Sequence, residues 1–187
     1  MSSSEDARAT LVNELREHAL VIGDVTLSSG KQASYYVDAR RAVLRPKGFL
    51  AAGELIAEAA VRHGAEAVGG PVMAAIPLSC AAIAVPGGAG LVGFFVRKEG
   101  KAHGLQRMIE GPVETGMKVL VVEDTVTTGG STIAALEQLH AQGLEIVAGV
   151  CVVDRLAGGA EAIAAAAGAP FEALTTIDDI YPERPDR

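Results

Sequence analysis

Val121-Val122-Glu123-Asp124-Thr125-Val126-Thr127-Thr128-Gly129-Gly130-Ser131-Thr132 is the stretch on which the reading of this sequence turns. The run Lys118 to Val122 is almost wholly apolar and predicts a buried strand ending at the two acids. A loop of hydroxyls and glycines follows. Ser131 to Gln142 then has helical spacing, with Gly143 as its stop. A strand that passes through such a loop into a helix presents backbone N–H groups at the helix N-terminus, a natural cradle for phosphate. Carboxylates do not bind phosphate. Glu123 and Asp124 suit sugar hydroxyls, or water held by Mg²⁺. Phosphate and diol groups side by side describe a ribose phosphate. The Gly-Lys-Ser/Thr ending of a nucleotide-triphosphate loop is absent.

Outward from this stretch, strands and helices alternate. Short apolar strands are predicted at Ala65 to Gly69, Gly90 to Val96, Glu145 to Val153 and Phe171 to Thr176, and helices at Phe49 to Val61, Met73 to Ala84 and Glu161 to Ala167. Such alternation implies right-handed crossovers and an α/β fold around a mostly parallel sheet. Ligands in such sheets bind beyond the carboxyl ends of the strands. Those ends are Gly69-Gly70-Pro71, Arg97-Lys98, Glu123-Asp124 and Asp154-Arg155. The segment before residue 45 breaks the pattern. It holds a helix from Glu5 to Ala19, a short hairpin or paired strands within Leu20 to Leu27 and a strand from Ser34 to Asp38, and is assigned to a small hood on a single domain spanning 1–187.

Composition narrows the class. Sixteen Lys and Arg against 23 Asp and Glu leave a net charge of −7, which argues against nucleic acid as a partner. Two cysteines, Cys80 and Cys151, lack metal-ligand spacing and sit in apolar runs, so both are expected to be buried. The N-terminus is polar and acidic, unlike a signal peptide. The uncharged stretch from Ala67 to Val96 is long enough to suggest a membrane span, but Pro71, Pro77 and Pro86 interrupt it. A cytoplasmic protein without a membrane partner is expected. Gly88-Ala89-Gly90-Leu91-Val92-Gly93 matches a dinucleotide fingerprint only in letters, since it leads into a strand instead of following one. His18, His63 and His140 fall near predicted helix ends and are read as surface or capping residues.

On this acidic chain, Arg97, Lys98, Lys101 and His103 form a compact basic segment. The acid–hydroxyl stretch resembles the phosphoribosyl diphosphate (PRPP) binding motif of the type I phosphoribosyltransferases. Val96-Arg97-Lys98-Glu99-Gly100-Lys101-Ala102-His103-Gly104 is similar to the catalytic loop of the orotate phosphoribosyltransferase family. Leu27-Ser28-Ser29-Gly30-Lys31 with Tyr35-Tyr36-Val37-Asp38 resembles that family's hood, and Val152-Val153-Asp154-Arg155 supplies a fourth match. The matches follow the family's order across most of the chain.

The resemblance implies a type I phosphoribosyltransferase fold and the reaction of orotate with PRPP, giving orotidine 5′-monophosphate and diphosphate for pyrimidine biosynthesis. It implies catalytic roles at the diphosphate for Lys101, His103 and Arg97, with Lys98 beside them and Gly100 and Gly104 letting the loop close. It implies that Glu123 and Asp124 hold the ribose hydroxyls, and that Thr125, Val126, Thr127, Thr128, Gly129, Gly130 and Ser131 bind the 5-phosphate. Thr127, Arg155, Tyr36 and Val37 match positions that contact orotate, the last two through backbone groups. Mg²⁺ is implied as cofactor, chelated mainly by PRPP and assisted by Glu123 and Asp124 through water. A homodimer sharing the loop across its interface is implied as well.

The sequence departs from the family in several places, one of them the first acid of the pair, Glu123, where aspartate is commoner. Met73 and Ala74 stand where many relatives carry Tyr-Lys, and Ser28 where they often carry lysine, with Lys31 as a possible replacement. Two alternatives stay open at this point. One is transfer to another base, such as a purine. The other is a non-catalytic PRPP sensor, which the catalytic-loop cations and the lack of a basic face disfavour.

Overall fold

The computed structural model describes residues 3–26, 32–98 and 108–187. The Lys31, Lys101 and His103 side chains, with Ser28, Gly100 and Gly104, lie outside the described residues. The chain runs α1 (Ser3–His18), β1 (Leu20–Thr26), β2 (Gln32–Val37), α2 (Arg40–Val43), α3 (Pro46–His63), β3 (Ala67–Pro71) and α4 (Ala75–Ala84). It continues through β4 (Val92–Val96), β5 (Ile109–Glu110), β6 (Lys118–Val126), α5 (Gly130–Ala141), β7 (Glu145–Asp154), α6 (Gly159–Ala167), β8 (Phe171–Thr176) and α7 (Ile177–Ile180).

Six strands form the main sheet in the order β5-β4-β3-β6-β7-β8. All neighbours pair in parallel except β5, an antiparallel edge strand on β4. The continuous apolar runs of β6 and β7 follow from this position, because central parallel strands are covered on both faces. Leu120, Val122, Val150 and Val152 face a layer made by α1, α3 and α4, where Leu11, Leu15, Ile56 and Leu78 are fully buried. Val119, Val121 and Cys151 face the other layer, where α5 and α6 supply Leu136, Leu139 and Ile163. The 67–96 stretch resolves into β3, α4 and β4, and among the described residues no helix is long and apolar enough to cross a membrane.

Local differences from the sequence reading have physical causes. The strand through the acids does not stop at Val122. β6 runs on to Val126 because β7 keeps pairing with it, Glu123 opposite Cys151 and Val126 opposite Asp154. Leu20 to Thr26 is one strand rather than a hairpin. It pairs antiparallel with β2, and the register shifts between Ile22 and Val25, where Gly23 has φ +140°. Cys80 is exposed on the outer side of α4, whereas Cys151 is buried; both thiols are free. α2 and α7 have only four residues each, too short for a periodic signal.

Candidate active site

The parallel order brings the carboxyl ends of β3, β4, β6 and β7 to one edge. At roughly 4.8 Å between strands, the β6 end lies next to the β7 end and two strands from the β4 end. Arg97 and Lys98 therefore stand on one side of the acid–hydroxyl loop and Arg155 on the other. A cavity of about 310 Å³ joins Arg97 and Lys98 to Ser131, with Pro71, Met108 and Gln138 also in its wall. Arg97 is steadied from the edge strand: its backbone N–H donates to the Met108 carbonyl at 2.8 Å, and Nη1 lies 3.4 Å from Glu110 Oε1.

Glu123 is 6% exposed and sits at the base of the loop. Its Oε2 accepts from Ser131 Oγ at 3.2 Å and Thr132 Oγ1 at 3.0 Å, and Oε1 accepts the Asp124 backbone N–H at 3.1 Å. Burial, and then the neighbouring Asp124 charge, push the Glu123 carboxyl up to about 7 against these hydrogen bonds. Burial also raises Asp124, opposed by the Thr125 N–H at 2.6 Å and by the Arg40 charge. Arg40 Nε donates to Asp38 Oδ1 at 2.8 Å and lies 3.8 Å from Asp124 Oδ2, which ties the N-terminal segment to the loop. Sequence reasoning missed Arg40 and Asp38 because nothing local connects them to residue 124.

Beyond the acids, Thr127, Thr128, Gly130 and Ser131 are exposed at the head of α5, while Gly129 is buried. Gly129 has φ +78°, and a Cβ there would lie 2.7 Å from Ile163 Cγ1, so only glycine suits this turn. Val126 is buried in the core and its carbonyl accepts the Arg155 N–H at 2.9 Å. Its side chain offers nothing to a ligand. Thr125 Oγ1 is buried without a hydrogen-bond partner among the described residues.

Arg155 follows β7 on a tight turn. The Asp154 carboxylate accepts the Leu156 N–H at 2.8 Å, and Leu156 takes φ +56°, which costs a non-glycine residue about 1–3 kcal/mol. That strained turn fixes where the arginine starts. Its guanidinium stacks over Tyr35, with Cζ 4.9 Å from the ring centroid. On β2 the period of two buries Tyr35 and Val37 and leaves Tyr36 half-buried. Val37 thus belongs to the core, and Tyr35, which the sequence reading gave no site role, is the hood residue against Arg155. The Gly-Pro turn after β3 brings Met73 and no cation, and its Val72–Met73 peptide is cis.

His18 lies 3.7 Å from Glu14, and His63 lies 2.7 Å from Glu172. Burial, and then the charge of Asp154, raise the Cys151 thiol, so it is inert.

Comparison with known proteins agrees with this geometry. The model of the phosphoribosyl transferase domain family matches residues 80–167. The orotate phosphoribosyltransferase of Corynebacterium glutamicum is 46% identical over 179 residues, covering 96% of each chain. That of Rhodopirellula baltica is 42% identical over 189 residues, 96% of this chain and 97% of its own. The crystal structure of Mycobacterium tuberculosis orotate phosphoribosyltransferase with Fe(III) dicitrate superposes with a TM-score of 0.84 at 42% identity, over 93% of this chain and 98% of that one. A structure of the same enzyme with PRPP gives 0.80 at 37% identity, again over 93% and 98%. Identity at this level, spread over nearly the full length of both chains, is more than a shared fold requires, and the chain belongs to the orotate phosphoribosyltransferase family.

Proposed function

We propose that this chain transfers the 5-phosphoribosyl group of PRPP to orotate, giving orotidine 5′-monophosphate and diphosphate in pyrimidine biosynthesis. The observation that carries this reading is the arrangement of the sheet edge: cations at the end of β4, a sugar-phosphate loop after β6, and a guanidinium after β7. The anomeric carbon of PRPP must pass through an oxocarbenium-like state while negative charge grows on the departing diphosphate. Catalysis needs that charge met, the base held, and water kept out.

Arg97 and Lys98 face the cavity beside the loop and would meet the diphosphate. By family likeness Lys101 and His103 join them, and the His103 imidazole would give a proton to the leaving group. Glu123 and Asp124 would accept hydrogen bonds from the ribose hydroxyls, and residues 125–131 would cradle the 5-phosphate through backbone N–H groups and hydroxyls. Arg155 would pair with the orotate carboxylate, with Thr127 and the backbone at Tyr36 and Val37 completing the base site.

Mg²⁺ fits as a companion of PRPP. Among the described residues no cluster of three His, Cys, Asp or Glu side chains could hold a metal alone. The adjacent Glu123 and Asp124 carboxylates can still assist through water, and bound Mg²⁺ would supply charge neutralisation at the diphosphate. A second copy of the chain is the partner we assign to the outer side of α4. There Ile76, Cys80 and Ile83, one face of the helix at i, i+4 and i+7, are exposed. We place the enzyme in the cytoplasm, a setting that its two free thiols suit.

The test is an absorbance assay of orotate with PRPP and Mg²⁺, repeated with a chelator and with adenine, hypoxanthine, guanine, xanthine and uracil. Orotate should be consumed, the other bases should not, and the chelator should stop the reaction. Orotate left untouched at saturating PRPP and Mg²⁺ would overturn the proposal.

A further inference from the structure

The contacts around Arg155 reach well past the residues placed in the site above. The Tyr35 phenolic oxygen accepts an N–H from Arg155 Nη2 at 3.1 Å. Its own proton goes to Asp186, 2.9 Å from Oδ2 and 3.1 Å from Oδ1. The hydroxyl therefore accepts once and donates once, which fills its ordinary capacity between a cation and an anion. The Tyr35 ring carries the guanidinium on one side and meets the Tyr181 ring edge-on at 5.4 Å and 81°. Asp186 is in turn gripped by Arg184, whose Nε lies 3.3 Å away, and Arg184 also pairs with Asp178 of α7. Arg155 Nε is buried with no hydrogen-bond partner among the described residues. On the described contacts, the direction of the guanidinium is set by one hydroxyl and one ring.

The interposed phenol matters for charge. A direct Arg155–Asp186 pair would occupy the guanidinium fork and cancel its charge. With Tyr35 between them, Arg155 gains a hydrogen bond and a cation–π contact from a neutral group and keeps its positive charge for an anionic ligand. Burial and the Asp186 carboxylate both keep the phenol protonated, so it goes on donating to Asp186.

We propose that Tyr35 is a positioning residue for the base-binding guanidinium, and that Asp186 orients the Tyr35 hydroxyl, so that residues 181–187 help select an anionic base. This rests on the assignment of Arg155 to the orotate carboxylate and names what holds that arginine in place.

The experiment measures kcat and the separate KM values for orotate and PRPP in the full chain carrying Arg155→Ala, Tyr35→Phe, Asp186→Ala or the Tyr35→Phe/Arg155→Ala pair. Tyr35→Phe keeps the ring and removes the hydroxyl, so it isolates the bond. It should raise KM for orotate by about fivefold, the worth of one net hydrogen bond, with KM for PRPP little changed. Asp186→Ala should act in the same direction and less strongly. The pair should be no worse for orotate than Arg155→Ala alone, since residues that act through one group are not additive. Arg155→Lys replaces Arg155→Ala in the series if the alanine variant fails to fold. If loss of Arg155 left KM for orotate unchanged, its assignment to orotate would be wrong and this inference would go with it. If loss of Arg155 weakened orotate while Tyr35→Phe and Asp186→Ala did not, the inference alone would be overturned. Equal rises in both KM values together with a lower melting temperature would also overturn it, marking Tyr35 as structural.

Discussion

Glu123 shows how one residue carries both the site and a stability cost. Its carboxyl is raised from an ordinary 4.5 to about 7, first by burial and then by Asp124. The folded protein thus holds this proton more tightly than the unfolded chain does. The stabilisation from the protonated form is complete below about pH 4.5 and is lost as pH rises through about 7. Without substrate, Glu123→Gln should make the protein more stable than the parent at pH 8, by at most about 3 kcal/mol. The gap should shrink to under about 1 kcal/mol at pH 5. Urea unfolding at the two pH values measures it, and a gap that ignores pH would show that Glu123 ionises normally in the fold. The two acids were legible in the sequence because a polar pair ending a buried run is conspicuous. Their unequal burial was not legible, since it depends on Ser131 and Thr132 folding back over Glu123.

Among the elements, α6 braces the acid–hydroxyl loop from behind. A Cβ at Gly159, the first residue of α6, would sit 2.4 Å from the Thr127 carbonyl oxygen and 2.6 Å from Val126 Cγ1. Gly159→Ala should push the loop outward, cost about 1–3 kcal/mol through overpacking, and raise KM for PRPP more than KM for orotate. Steady-state kinetics and a thermal melt decide this; an unchanged KM for PRPP would mean that the loop yields freely. The short α7 does a similar service at the other end. Thr176 and Asp179 form a capping box there, and Asp179 also receives Arg8 from α1 at 2.8 Å. Burial would raise the Asp179 carboxyl, but the Thr176 N–H and Arg8 override it and hold it below its ordinary value. That clasp contributes stability at neutral pH and loses it as pH falls through the lowered pKa, below the ordinary 3.8. Helices α3 and α5 were legible from their apolar spacing, whereas α2, α7 and β5 depend on what they pack against.

For the whole molecule, the stripe Ile76, Cys80 and Ile83 on α4 is an apolar helix face left exposed in the single chain. If a second copy covers it, the protein should sediment as a dimer, and Ile83→Glu should shift it toward monomer with a loss of turnover, because a buried charge opposes the contact. A parent protein that sediments as a single chain at working concentration would rule this out.

The sequence by itself determined the alternating α/β pattern, the acid–hydroxyl loop and the basic segment, because each is written in neighbouring residues: apolar period, turn chemistry and local charge. Tertiary structure alone decided which side chains meet. Asp38 and Arg40 come to Asp124, and Asp186 reaches Arg155 through Tyr35, because the separate β1–β2 pair and the residues after α7 pack against the edge where the parallel sheet brings the ends of β6 and β7 together. Tyr35 faces Arg155 while Tyr36 does not because successive side chains on a strand point opposite ways, and only pairing with β1 and the packing of the hood choose which face turns inward.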